Sequence, residues 1–231
     1  ASKKRIIIKP NLVGPFPLCA THVDAVRGVL DILRPMTDSE IIVGDSTGRI
    51  YNGGISTYHH LDVHGYLDLA REYDVTLMDL NDRRPVTMWI TDGKGHPAPI
   101  DVIDHYLDSD TYVISLPRMK THDTVVATLA IKNILLGAPI NYYRQKDRSD
   151  RNQKALMHRG GAKGINFSMF LLARYMLPDF SIIDGYVGME GNGPTRGTEV
   201  EHRIALAGFD SVAVDRVGVF LMGIDAGDVG Y

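Results

Sequence analysis

The chain has 231 residues, of which 44% are hydrophobic and 23% charged, a composition typical of a folded globular protein. These proportions exclude a disordered chain, a collagen-like repeat and a disulfide-rich scaffold. The formal net charge of −3 argues against a broadly basic nucleic-acid surface. The single cysteine, Cys19, excludes an internal disulfide, a thiolate zinc site and an iron–sulfur cluster held by this chain alone.

The sequence contains no apolar stretch near the ~20 residues of a membrane helix and no signal-peptide pattern. We therefore predict a cytoplasmic protein that has neither a membrane nor a nucleic acid as partner. The sequence starts without Met and stops just after a helical pattern, so we expect it to be truncated at the C-terminus. Its oligomeric state is unknown.

Apolar runs of strand length alternate with helical patterns along the chain. The predicted strands are 4–9, 40–43, 75–80, 86–90, 111–116, 180–183 and 203–206. The predicted helices are one that Thr21 caps and Pro35 ends, then 58–73, 125–136, 155–176 and 211–222. This alternation predicts a single α/β domain over residues 1–231, with a mostly parallel sheet and helices on both faces. A polar stretch near 139–155 predicts an insertion or a lid.

Polar residues follow the first two predicted strands, where α/β sheets bind ligands. Lys9 and Asn11 flank a proline, so an ammonium and an amide could face one cleft; the alternative is a strand exit with a solvated lysine. Asp45 and Ser46 lie in a Gly-Asp-Ser-Thr-Gly turn whose backbone N–H groups could bind an anion. Asp45 could bind a metal, hold a ligand hydroxyl or cap the next turn.

A cationic segment follows the strand 111–116. Lys120 and His122 come just past this strand, and Lys132 and Asn133 lie inside an apolar helical pattern. An unpaired buried lysine is costly, so Lys132 must reach solvent, pair with an acid or face a ligand. Cations around one cleft suit a carboxylate or phosphate, and a desolvated lysine among cations could act as a base or nucleophile. The alternative is a helix with one exposed polar edge.

Acidic residues accompany the strand 180–183 and the glycine-rich segment after it. Asp184 ends the strand, and Glu190 and Gly191 lie in the predicted loop. The two acids could bind Mg²⁺ or Ca²⁺, or work as a general acid and base, whereas a plain mobile loop is the alternative.

Other polar candidates lie on predicted helices. Asp210 fits the N-cap of the last helix, and Asp215 could point inward toward the lysines of the cleft. His60 and His64 share a helix face at a spacing that can bind a transition metal, but no third ligand accompanies them.

The ordered set of these motifs resembles the family known as domain of unknown function number 362, and the resemblance covers nearly the whole chain. The motifs are Lys9-Pro10-Asn11, Gly44-Asp45-Ser46, Lys120-Thr121-His122, Lys132-Asn133, His158, Asp184-Gly185, Met189-Glu190-Gly191-Asn192-Gly193-Pro194, Asp210-Ser211-Val212-Ala213-Val214-Asp215 and Met222-Gly223. Many relatives carry an added ferredoxin-like segment with Cys-rich spacings, which implies an iron–sulfur protein as partner. The architecture is also distantly similar to nickel-dependent lactate racemase, which implies a cleft for a small carboxylate and a cofactor tethered to a lysine.

The sequence thus favours an enzyme domain that binds a small anionic metabolite or cofactor, a carboxylate or phosphate, in one cleft, with isomerase or racemase chemistry. The expected catalytic residues are Lys120, His122, Lys132, Asp184 and Glu190. The expected ligand-binding residues are Lys9, Asn11, Asp45, Ser46, Asn133, His158 and Gly191. A divalent metal is one expected cofactor, without assigned ligands. The alternative is a non-catalytic or redox-partner module that binds an iron–sulfur protein.

Overall fold

The computed structural model describes residues 3–48, 56–143 and 152–231. The strands are β1 (Arg5–Pro10), β2 (Glu40–Asp45), β3 (Thr76–Asp79), β4 (Pro85–Thr91), β5 (Pro97–Ile103), β6 (Thr111–Leu116), β7 (Arg118–His122), β8 (Val126–Thr128), β9 (Phe180–Glu190), β10 (Thr198–Val200) and β11 (Ile204–Gly208). The helices are α1 (Val23–Leu33), α2 (Thr57–Val63), α3 (Leu67–Tyr73), α4 (Ala130–Leu135), α5 (Gln153–Met157), α6 (Gly161–Ala173) and α7 (Ser211–Leu221).

Strand β1 lies inside a mixed, mostly parallel sheet with the order β3-β2-β1-β6-β9-β7-β8. It pairs in parallel with β2 on one side and β6 on the other. Strand β9 pairs in parallel with β6 and β7 and antiparallel with β10 and β11. The chain moves outward from β1 on both sides, so the carboxyl ends of β1 and its neighbours form the crevice where α/β proteins bind ligands.

Helices cover both faces of the sheet. Successive side chains of β1 point to opposite sides and are apolar on both, so each face needs a helix to bury it. Ile6 and Ile8 pack with the apolar residues of α1. Ile7 packs on the other face with Ile134 of α4. Lys9 follows Ile7 by two positions, so it is carried on the face that α4 covers. The predicted α/β class, with a mostly parallel sheet, is confirmed.

Two long predicted helices are each divided by a glycine in the left-handed region. The pattern over 58–73 forms α2 and α3, with Gly65 at φ +77° between them. The pattern over 155–176 forms α5 and α6, with Gly160 at φ +83° between them. Glycine adopts this conformation without the steric cost of a Cβ, so the chain turns there while the apolar periodicity continues.

Two other predicted elements are wrong because of strand pairing. The pattern over 125–136 was predicted to be helical throughout, but its first part is β8, which pairs antiparallel with β7. The segment after Asp184 was predicted to be a loop, but β9 runs on to Glu190 because β7 and β10 supply backbone partners. These partners are remote in sequence, so local composition does not reveal them.

The predicted cap of α1 is also wrong. Thr21 lies before the helix, and its hydroxyl donates to the backbone oxygen of Leu116 at 2.7 Å. His22 is the N-cap, and its Nδ1 accepts from the backbone N–H of Asp24. Thr21 thus ties the exit of β1 to the end of β6 instead of starting the helix.

The central part of the predicted insertion or lid near 139–155, residues 144–151, lies outside the described residues. On its flanks, Asn141 and Asn152 pair as an isolated antiparallel bridge. Within the described ranges, the structure contains no helix with the length and apolar character needed to cross a membrane.

Asp215 on α7 holds the N-terminus of α4. Its carboxylate accepts from the backbone N–H groups of Ala130 at 2.8 Å and Ile131 at 3.0 Å, and burial raises the pKa of this carboxyl to about 7. The first N–H groups of a helix have no partner within the helix, so the carboxylate supplies one. Asp215 therefore points inward, as predicted, but to the backbone of α4 instead of to a lysine. The prediction that Asp210 caps α7 is confirmed by its bonds to two backbone N–H groups at 3.0 Å.

We expect Asp215→Ala to lower the free energy of unfolding by about 2–4 kcal/mol, because two buried N–H groups of α4 lose their acceptor. Asp225→Ala is the matched control, since exposed Asp225 accepts from a single backbone N–H, that of Gly227, in a short surface turn. Its loss should be about 1 kcal/mol or less. Urea unfolding followed by circular dichroism measures both, and equal losses would contradict the capping role.

Candidate functional site

A cavity of about 410 Å³ lies where β1 and β2 end, against α4 and α5. Its polar lining comprises Lys9, Asn11, Asp45, Ser46, Thr47, His122, Lys132, Asn133, Asn152, Lys154 and His158. Most of the residues that the sequence singled out are therefore brought together here. Among the predicted site residues, the four outside this lining are Lys120, Asp184, Glu190 and Gly191.

Lys9 and Asp45 form a buried ion pair at the base of the cavity. The Lys9 Nζ lies 2.6 Å from Asp45 Oδ1, and both side chains are at most 5% exposed. The ammonium also donates to Asn133 Oδ1 at 2.9 Å and to the Pro10 carbonyl at 3.1 Å. All three ammonium hydrogens thus have acceptors, which is the condition under which a buried charge is tolerated.

The Asp45 carboxylate joins the ends of two strands. It accepts from the backbone N–H of Leu12, just past β1, at 2.6 Å and from that of Ser46, just past β2, at 2.7 Å. Of the roles that the sequence left open for Asp45, the structure shows a carboxylate engaged with a lysine and two backbone N–H groups.

The Asn133 amide connects α4 to the same network. Its Oδ1 accepts from Asn11 Nδ2 at 3.1 Å as well as from Lys9, and its Nδ2 donates to the Lys9 carbonyl and to Ser115 Oγ, both at 3.0 Å. The Lys9 side chain packs directly against the backbone of Gly137, where a Cβ would lie 2.3 Å from Lys9 Cε. The position therefore requires a residue without a side chain.

Lys154 closes the C-terminal end of α4. Its Nζ donates to the carbonyls of Gly137 at 2.8 Å and Pro139 at 2.6 Å, and it lies 3.2 Å from that of Leu136 and 3.1 Å from Ser46 Oγ. Burial lowers the pKa of this lysine to about 7. A cation is favourable at a helix C-terminus because the last carbonyls carry partial negative charge.

Lys132 differs from the other lysines of the cavity in its sparse contacts. The side chain is buried, and its Nζ donates to Thr128 Oγ1 at 3.1 Å. Among the described residues, this lysine has no acidic partner within ion-pair distance and no second hydrogen bond. Burial, followed by the positive charges of Lys120 and Lys9, lowers the pKa of Lys132 to about 7. Lys132 lies in the cavity wall, and the expectation that it faces a ligand stays a prediction.

Two amide oxygens of the cavity are buried without a hydrogen-bond partner among the described residues. They are Asn11 Oδ1 and Asn152 Oδ1. Asn11 is 7% exposed and its Nδ2 is committed to Asn133, so the orphaned atom is the acceptor. Buried polar atoms nearly always have partners, but six further side-chain atoms among the described residues, all outside this lining, also lack one. These two oxygens therefore do not by themselves indicate a ligand.

Two histidines border the cavity. His158 Nδ1 lies 3.0 Å from the Lys154 carbonyl, so Nδ1 carries the proton and the neutral ring offers Nε2 as an acceptor. His122 Nδ1 accepts from the backbone N–H of Thr124 at 3.1 Å, but it also lies 3.1 Å from the carboxylate of Asp123. The first contact needs an unprotonated nitrogen and the second a protonated one, and the backbone bond is the better defined because the Asp123 side chain is 68% exposed.

Lys120 and Asp184 are buried, but outside the cavity lining. Lys120 Nζ donates to the Cys19 carbonyl at 2.7 Å, and burial lowers its pKa to about 7. Asp184 accepts from the backbone N–H of His22 at 3.3 Å and lies 3.9 Å from Arg118 Nη2. Both side chains hold the segment before α1 against β7 and β9.

Glu190 and Gly191 lie at the exposed end of β9. The Gly191 carbonyl accepts from Thr121 Oγ1 at 3.0 Å. Asp184 is buried whereas Glu190 is exposed, so the geometry does not bring these two acids together as a pair. Their catalytic roles stay predictions.

The sequence interpretation missed Lys154 and Asn152 as cavity residues. Both were placed in the polar stretch before the predicted helix at 155. Lys154 precedes His158 by four positions, which puts the two residues on one face of α5 and the turn that follows. Extending the predicted helix by one turn would have shown this relation.

The donor set of the cavity suits an organic ligand better than a metal ion. Among residues 3–48, 56–143 and 152–231, no group of three or more His, Cys, Asp and Glu side chains could hold a metal. The lining presents three lysines, and ammonium groups repel a metal cation. The described residues of this lining therefore offer no ligand set to which we assign a metal, and the expected divalent metal stays a prediction without ligands.

The fold and cavity define an α/β domain with a polar crevice at the carboxyl ends of its central strands. Residues 6–220 match the family described as "Domain of unknown function (DUF362)", and the chain belongs to this family. It is 27% identical over 227 residues to the thylakoid-associated protein sll1697 of Synechocystis, covering 96% of this chain and 64% of that protein.

Two solved structures share the fold. The lactate racemase apoprotein from Thermoanaerobacterium thermosaccharolyticum matches with a TM-score of 0.53 and 16% identity, over 94% of this chain and 48% of that one. A protein from Thermotoga maritima matches with a TM-score of 0.52 and 11% identity, over 97% and 56%. The chain spans less than two thirds of each of these three proteins. Both predicted resemblances are confirmed.

We expect Lys9→Met to lower the free energy of unfolding by about 3–5 kcal/mol, because it leaves the Asp45 carboxylate buried without its cation. Lys4→Met is the matched control: Lys4 also pairs with an acid, Asp110, but on the surface. Its effect should be about 1 kcal/mol or less. Guanidinium chloride unfolding measures both variants. The interpretation fails if the two losses are alike, or if Lys9→Met combined with Asp45→Asn is no more stable than Lys9→Met.

Proposed function

We propose that this domain is an enzyme that binds a small carboxylate in the lysine-lined cavity and catalyses its isomerisation or racemisation. The observation that carries the proposal is Lys132, a buried ammonium in the cavity wall with one hydrogen bond among the described residues. A buried cation that is not saturated by the protein is stabilised by an anionic ligand.

The charge of the cavity supports an anion as the ligand. Lys9, Lys132 and Lys154 bring three positive charges when protonated, and Asp45 brings one negative charge, so the excess is +2. The amide and histidine side chains that accompany the lysines in the lining favour a carboxylate that also carries a polar substituent, such as a hydroxy or oxo acid, over a plain apolar acid.

Proton transfer is the chemistry that these side chains favour. An amine whose pKa lies near 7 exchanges protons readily at neutral pH, and Lys132 has such a pKa. His122 and His158 supply further proton-carrying groups at the cavity. The structural neighbour named lactate racemase agrees with a reaction on a small carboxylate.

The cellular setting remains part of the proposal. We propose a cytoplasmic location, although the cyanobacterial relative is named for its association with thylakoids. The alternative, a redox-partner module for an iron–sulfur protein, stays a prediction. The converging lysine, amide and histidine groups support the enzyme more directly.

We expect oxalate, a small dianion, to bind this domain more tightly at pH 6 than at pH 8. Because the pKa of Lys132 is lowered to about 7, its ammonium is mostly present at the lower pH and mostly lost at the higher. The expected change in affinity is about tenfold. Isothermal titration calorimetry of the full chain at both pH values measures it.

Lys132→Met should weaken oxalate binding at pH 6 by roughly tenfold to a hundredfold, the usual worth of a hydrogen bond to a charged group. Lys163→Met, at an exposed lysine on α6 outside the cavity, is the matched control and should bind as the unchanged protein does. Equal binding by all three proteins, or affinity that rises with pH, would overturn the proposed site.

The reaction is tested by following deuterium uptake from D₂O into L-lactate and pyruvate by NMR, with chiral analysis of the lactate. We expect uptake at carbon with the unchanged protein and with Lys163→Met, and its loss with Lys132→Met. Uptake that is the same in all three proteins would place the chemistry elsewhere.

A further inference from the structure

The buried lysines of this domain differ in how many hydrogen-bond acceptors surround them. The Lys9 ammonium has three acceptors, and Lys154 has four within 3.2 Å. Lys120 contacts the Cys19 carbonyl but does not line the cavity. Lys132 lines the cavity, and within residues 3–48, 56–143 and 152–231 its one hydrogen-bond partner is Thr128 Oγ1. It is therefore the cavity amine whose nitrogen is least occupied by the protein.

We propose that Lys132 forms a covalent imine with the carbonyl carbon of a 2-oxo acid bound in the cavity. This inference rests on the proposed function and names the substrate class of the same site. The charge of Lys9 is balanced by Asp45, so protonated Lys154 leaves a net positive charge that attracts the carboxylate of the acid to the cavity. The hydrogens of both lysines stay committed to the protein. Lys132 is then the amine left to react.

The step balances without any redox partner. The neutral amine of Lys132 attacks the carbonyl carbon, forming a C–N bond and a carbinolamine. The former carbonyl oxygen leaves as water with two protons, one from the amine and one from solvent. The nitrogen keeps its second hydrogen, so the product is the positively charged iminium. The positive iminium withdraws electrons from the neighbouring C–H bond, so a base can remove that proton.

One further feature of the cavity suits this chemistry. With a pKa of about 7, roughly half of Lys132 is free amine at neutral pH, against about one part in three thousand for a lysine at 10.5. Burial thereby removes the main obstacle to attack by lysine.

The test is reductive trapping. The full chain is incubated at pH 7 with pyruvate and sodium cyanoborohydride. Cyanoborohydride reduces an iminium to a stable secondary amine, and peptide mass spectrometry locates the resulting adduct. Lys132→Arg keeps a cation in the cavity but cannot form an imine, and Lys163→Met is the surface control. Lys132→Met, checked for folding by circular dichroism, replaces the arginine variant if that variant does not fold. Oxalate binding is measured on every protein.

We expect one reduced adduct on Lys132 in the unchanged protein and in Lys163→Met, both of which bind oxalate, and no adduct at position 132 in the Lys132 variants. If the unchanged protein binds oxalate but traps no adduct on Lys132, or labels its lysines indiscriminately, the imine is overturned and the proposed carboxylate site stands. If the unchanged protein neither binds oxalate nor traps pyruvate, both proposals are overturned.

Discussion

The buried ion pair between Lys9 and Asp45 is the interaction on which the arrangement of the site depends. Two charges removed from water cost several kcal/mol each unless every polar atom is satisfied, and here backbone N–H groups, a proline carbonyl and the Asn133 amide complete the set. The pair fixes the ends of β1 and β2 relative to α4. The absence of a side chain at Gly137 follows from it, since the Lys9 stem occupies that space.

Two lysines of the cavity stabilise its structure, and the third is the amine of the proposed reaction. Lys9 fastens two strands to a helix, and Lys154 closes the C-terminal end of the same helix. Lys132 lies on that helix between them, with its position fixed from the N-terminal side by Asp215. The contacts of its neighbours hold the cavity wall in place around Lys132, which has the fewest hydrogen bonds of the cavity lysines among the described residues. A site of this kind is preorganised, because ligand binding does not have to order the lysines.

The parts of this picture that sequence predicts are those governed by local pattern and by strand ends. Apolar runs locate β1, β2 and β6, and the convergence of carboxyl ends brings Lys9, Asn11 and Asp45 to one place, where Asn133 contacts them from α4. What the sequence does not reveal depends on remote partners. The extension of β9 past Asp184 needs β7 and β10, β8 exists because β7 pairs with it, and the inward role of Lys154 needs the carbonyls at the end of α4.

The position of β9 has a consequence for synthesis of the chain. Strands β6 and β7 are separated in sequence by one proline, yet in the sheet β9 lies between them. While residues 180–190 are not yet synthesised, β6 and β7 each have one strand edge without a partner. These edges are paired only when β9 leaves the ribosome and inserts between the two strands. Until then the exposed edges are open to pairing with other chains, and the sheet is complete only after β10 and β11 have followed and paired with β9.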